Sequence, residues 1–199
     1  MMLFLYFLVG YVALYVVIWL HEVGHALVYS LYNCKENPFN VHVPFYLFFS
    51  TPQPVNIEKA KFLTNKQDFH VGIAGIMMNL FFSLPLAVFL LITDSQTSLF
   101  LFFIYSFTLF HLVEAATYLT ISNLFLSSDI VSVQRYKPIL RIPLFIIGLG
   151  IIALIIIMVI KSPAVWKIAY IVSIFVMLSC MVIGRFLFTR KVQRSVKVD

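Results

Sequence analysis

His21-Glu22-Val23-Gly24-His25 places two imidazoles four residues apart with a carboxylate between them. On a helix, positions i and i+4 share a face, so both rings can reach one metal ion. The intervening glutamate can take a proton from a water on that ion. A catalytic zinc takes three protein ligands and a water, so a third ligand must come from elsewhere. Asp129 is the leading candidate, at the end of Asn123-Leu124-Phe125-Leu126-Ser127-Ser128-Asp129; its plainer reading is a helix cap or a solvated loop acid. His111 and Glu114 are a second polar pair, spaced i and i+3 on one helical face. They can be a hydrogen-bonded pair, partners that orient the ligands, or ligands themselves. His70 and Asp68 are weaker candidates, and His42 is most simply an exposed loop residue.

The elements that must carry these residues belong to a membrane protein. The chain has 199 residues, of which 62% are hydrophobic and 11% charged, and its mean hydropathy is +1.00. A soluble domain of this size has too little interior to hide so many apolar side chains. The 21 Phe and 10 Tyr fit a lipid-facing surface with interfacial rings. Ionisable groups are costly in a bilayer and usually functional there, so three of them within five positions point to a metal site within or beside the membrane. Cys34 and Cys180 are far apart and form no C-x-x-C, which implies neither a disulfide framework nor a thiolate zinc site. The first twenty residues lack a basic n-region and run straight into the metal motif, so they read as a mature transmembrane helix rather than a signal peptide.

Five apolar spans are visible, at about 3–32, 70–92, 99–121, 139–160 and 164–188. Each can cross a hydrocarbon core of roughly 30 Å. With the N-terminus outside, twelve basic residues fall on the cytoplasmic side: Lys35, Lys59, Lys61, Lys66, Arg135, Lys137, Arg141, Arg185, Arg190, Lys191, Arg194 and Lys197. Only Lys161 and Lys167 fall outside. The positive-inside rule therefore predicts a multi-pass cell-membrane protein with its N-terminus out and C-terminus in. The net charge of +6 reads as topology and contact with anionic lipid, not as nucleic-acid binding. In the 33–69 segment, Phe39-Asn40-Val41-His42-Val43-Pro44-Phe45-Tyr46 alternates in part, while Pro38, Pro44, Pro52 and Pro54 exclude a long helix. It reads as short strands or a β-hairpin at the membrane surface. It is either an amphipathic connector or an open edge for an extended peptide.

The order of these elements resembles the site-2 protease family of intramembrane zinc metalloproteases. That family pairs a membrane-embedded H-E-x-x-H with a helix carrying a G-P-x-x-N-like element and a later N-x-x-P…D-G element. Here the counterparts are Ala74-Gly75-Ile76-Met77-Met78-Asn79 and Asn123-Leu124…Ser128-Asp129. Ile76 and Ile130 stand where the family usually has Pro and Gly, and Phe125-Leu126 lacks its second Pro. The resemblance implies an all-α fold with a three-helix metalloprotease core over residues 1–135. Residues 136–199 then supply two accessory helices and a basic cytoplasmic tail. It also implies one catalytic zinc on His21, His25 and Asp129, with Glu22 as general base. Asn79 and Asn123 would donate to substrate backbone or to the developing oxyanion, or else bond between helices.

The expected activity is a zinc endopeptidase acting near the cytoplasmic side on a membrane-anchored or hydrophobic peptide. Its partners would be a membrane-embedded peptide or single-span protein, the bilayer, and a separate regulatory protein, since no soluble sensor domain is visible. A metal-ion transporter would need ligands along a path across the bilayer, and the last two spans offer almost no polar chemistry. A di-iron oxygenase would need more than five histidines. A catalytically inactive, site-2-protease-like binding protein is the remaining alternative.

Overall fold

The computed structural model describes residues 2–47, 49–93 and 97–195, with side chains over 4–47, 49–93 and 97–184. The helices are α1 (Met2–Leu31), the single turn α2 (Ile57–Ala60), α3 (Asn65–Ile92), α4 (Leu99–Thr117), the short α5 (Asn123–Phe125), α6 (Ile130–Tyr136), α7 (Arg141–Lys161) and α8 (Ala164–Ser195). A π-helical turn, Tyr118–Ser122, joins α4 to α5, and a 3-10 turn, Pro138–Leu140, precedes α7. Five of these stretches are long and apolar enough to cross a membrane, as a multi-pass protein requires: Phe4–Leu31, Asn65–Ile92, Leu99–Phe125, Pro138–Lys161 and Ala164–Gly184.

The second span begins five residues earlier than its hydropathy predicts. Thr64 caps α3: its hydroxyl accepts from Gln67 N, and the Gln67 side chain accepts from Thr64 N. This reciprocal T-x-x-Q box satisfies amides that the helix leaves open, so helix extends into polar sequence that hydropathy reads as loop.

α1, α3 and α4 pack on one another; α6 lies against α3, and α7 and α8 lie against α4. α4 is enclosed by these neighbours and buried along most of its length, its polar residues His111 and Glu114 included. Small residues set the closest approaches. A Cβ on Gly24 would stand 2.9 Å from the Ala74 carbonyl oxygen, which brings α1 against α3 at the motif itself. A Cβ on Gly148 would stand 2.7 Å from Thr120, so α7 rests directly on the π-helical turn.

The expected β-hairpin is not formed. The only β pairing among the described residues is an isolated antiparallel bridge between His42 and Thr51, with both bonds at 3.0 Å. Pro44 and Pro52 lack the amides that a ladder needs, and Leu47 and Phe49 turn into the left-handed region at φ 66° and 61°. An open strand edge for an extended peptide is therefore absent among the described residues. The segment instead folds back along α1. Tyr11 and Tyr15 donate their hydroxyls to the carbonyls of Phe45 and Val43, and Trp19 stacks on Phe39. These three rings lie at i, i+4 and i+8 on one face of α1. Tyr11 is ten residues before His21, about 15 Å along the axis. The loop thus runs past the level of the motif rather than lying at the end of the helix. Lys35 clamps its base, giving its ammonium to Asn40 O (2.7 Å) and Pro54 O (2.8 Å). Burial lowers the Lys35 ammonium from its ordinary pKa.

Candidate metal centre

α1 carries His21 and His25 on the face turned toward α3, and both are buried. Their rings meet at Nε2, 3.1 Å apart. Asp129 reaches the same point from the start of α6, with Oδ2 3.2 Å from His21 Nε2 and 3.1 Å from His25 Nε2. Asp129 stands at a helix N-cap position, yet its side chain makes no cap bond. Ser128 before it is left-handed at φ 59°, and the carboxylate faces the histidines. Burial alone would raise the Asp129 carboxyl, but His25 and His21 outweigh it and hold it well below the usual carboxylate range.

Three donor atoms that converge without an intervening side chain suit a metal ion. Ligands about 2.0–2.1 Å from a tetrahedral zinc lie about 3.3–3.4 Å from one another, close to the 3.1–3.2 Å seen here. This is the only group of three or more His, Cys, Asp or Glu side chains able to hold an ion among the described residues. The far side of His25 is also suited to ligation. Its Nδ1 donates to the Val71 carbonyl at 2.7 Å, leaving the Nε2 lone pair free for an ion.

α3 lies against the pair without filling it because Gly75 has no side chain. A Cβ there would stand 2.5 Å from His25 Nε2 and 2.7 Å from His21 Nε2. A Cβ on Gly72, one turn earlier, would stand 2.6 Å from the Asp129 carbonyl oxygen. The two glycines let α3 serve as a floor for α1 and α6 together. The spacing Gly72-x-x-Gly75 on an apolar helix is the sequence signal for such a floor.

Glu22 is buried between the histidines in sequence and within electrostatic reach of His21, His25 and Asp129. Asn79 lies behind His21. Its Nδ2 is 3.1 Å from His21 Nδ1 and donates to Glu114 Oε2 at 3.2 Å, and its Oδ1 accepts from His111 Nδ1 at 2.8 Å. His111 and Glu114 thus meet through Asn79. Asn123 is elsewhere: its Nδ2 donates to Leu119 O and Arg141 O, and its Oδ1 accepts from Gln134. It ties the π-helical turn to α6 and α7. Tyr118, the first residue of that turn, stacks face to face on His21 at 4.9 Å and 9°. π-helical turns often mark functional sites, but their sequence signal is weak, and nothing in Tyr118-Leu119-Thr120 singled it out. His70 Nδ1 shares a hydrogen bond with the Tyr32 hydroxyl at 2.5 Å, and His42 holds the loop bridge.

No family model matches the chain, and neither does any characterised protein or solved structure.

Proposed function

We propose that the chain is an intramembrane zinc endopeptidase of the site-2 protease type. The observation that carries this reading is the convergence of His21 Nε2, His25 Nε2 and Asp129 Oδ2, with Glu22 between the two histidines. Those three side chains would hold the zinc. When bound, the ion would lower the pKa of a water and polarise a peptide carbonyl. Glu22 accepts one proton from the attacking water as the new C–O bond forms. It then returns that proton to the amine nitrogen as the C–N bond breaks. His21, Glu22 and His25 lie within an apolar span with hydrophobic side chains exposed on its outer face, which favours a membrane-anchored or hydrophobic peptide as substrate.

Five crossings put the termini on opposite sides. The distribution of lysine and arginine favours an outer N-terminus and a cytoplasmic C-terminus, with cleavage near the cytoplasmic side. A transporter would need further ligands along a path, and the described residues form no second such group.

Metal content and cleavage of a single-span hydrophobic peptide, measured on the purified chain and on Glu22→Gln, test the reading. Zinc is expected in both proteins, and cleavage only in the first. Cleavage by zinc-loaded Glu22→Gln would remove Glu22 from the mechanism. Zinc flux into proteoliposomes without cleavage would favour transport instead.

A further inference from the structure

The buried group behind His21 has a task that the histidine motif does not contain. A histidine that ligates through Nε2 carries its proton on Nδ1, and metal-bound histidines almost always give that proton to a carboxylate, carbonyl or water. His25 gives it to Val71 O. For His21, Asn79 Nδ2 at 3.1 Å from Nδ1 is itself an N–H donor and cannot take that proton, whereas Glu114 Oε1 at 3.9 Å is an acceptor. The two donors do not have equal supports. His25 is held by main chain of α3, whereas His21 depends on side chains from α3 and α4.

We propose that Glu114, held in place by Asn79, accepts the Nδ1 proton of His21 and so acts as a positioning residue of the metal centre. Glu114 lies inside an apolar span and is buried, where an ionisable residue without a partner is costly. Asn79 donates to its Oε2, which turns Oε1 toward His21. Asn79 is itself fixed at its other end by His111 Nδ1. His111 is fixed in turn by stacking on Phe82 at 5.8 Å and an edge contact with Phe107 at 4.4 Å. Its Nε2 is buried without a hydrogen-bond partner, so the ring's one hydrogen bond goes to Asn79. The chain of contacts therefore runs from a packed aromatic pair through His111, Asn79 and Glu114 to His21. A shift of about 1 Å closes the 3.9 Å separation to hydrogen-bond distance.

This inference rests on the metal-centre reading above, and the two can fail separately. Zinc affinity is measured by chelator competition on the full chain in detergent, for the wild type and Glu114→Gln. The visible spectrum of each cobalt-loaded protein reports ligand geometry. Glu114→Gln keeps the shape and loses the charge. It is expected to bind zinc at least about tenfold more weakly and to shift the cobalt bands. The unfolding midpoint of the zinc-free protein should stay where it is. Equal zinc affinity in the two proteins overturns the inference. So does a lowered midpoint with unchanged cobalt bands, which marks a purely structural bond. If Glu114→Gln is not recovered folded, Asn79→Ser, which releases the carboxylate, is measured in the same way. A wild-type chain that takes up no zinc would overturn the metal-centre reading itself.

Discussion

A methyl group at position 75 would lie 2.5 Å from His25 Nε2 and 2.7 Å from His21 Nε2. Gly75→Ala must therefore displace the imidazoles or push α3 away from α1. Overpacking of this kind costs about 1–3 kcal/mol, and zinc affinity should fall sharply with it. Gly150 has nothing within 4 Å of its virtual Cβ, so Gly150→Ala should leave zinc binding unchanged and stabilise the helix by about 0.5–1 kcal/mol. Chelator competition and unfolding curves on both variants separate a crowded site from a general intolerance of α3 and α7 to alanine. Equal zinc affinity in Gly75→Ala and wild type would mean that α3 does not form the floor of the site. Asp129→Ala removes the one member of the proposed ligand set contributed from outside α1, and zinc measured after dialysis should be lost. Retention of zinc by that variant would exclude Asp129 as a ligand.

The elements around the site are held by hydrogen bonds that sequence alone does not pair. Asn123 joins the π-helical turn to Gln134 on α6 and to the Arg141 carbonyl at the start of α7. Asn123→Ala leaves the buried Gln134 amide without its Oδ1 partner, and the protein should lose about 1–3 kcal/mol of stability. An unfolding midpoint equal to the wild type would show that those bonds are replaced. The Lys35 ammonium closes the loop that lies along α1. Lys35→Ala should free that loop, and limited proteolysis should then cut between residues 36 and 54 where the wild type resists. An unchanged digestion pattern would place the loop's order in the Tyr11, Tyr15 and Trp19 contacts instead.

At the scale of the whole molecule, five helices are long and apolar enough to cross a membrane, and if all five cross, the termini lie on opposite sides. A reporter fused after residue 199 should be active only in the cytoplasm, and one placed before residue 1 only outside. Both reporters on one side would mean that one of the five apolar helices does not cross. The orientation also fixes the leaflet of the metal centre, because His21 and His25 lie toward the C-terminal end of α1.

Much of this was legible in residue order. Helical periodicity alone puts His21 and His25 on one face, and apolar runs of bilayer length mark all five spans, because both are properties of contiguous sequence. Asp129 was nameable only as a candidate, since a loop acid and a ligand have the same sequence. Its place beside the histidines depends on how α6 packs against α3 over Gly72. The partial alternation in 39–46 suggested a hairpin, but strand pairing needs free amides on both arms, and the prolines and left-handed residues deny it. Asn79 and Asn123 looked equivalent as amides in membrane helices. Tertiary packing turned one toward His21 and the other toward α6 and α7, because a side-chain amide bonds to whichever polar group the neighbouring helices bring within about 3 Å.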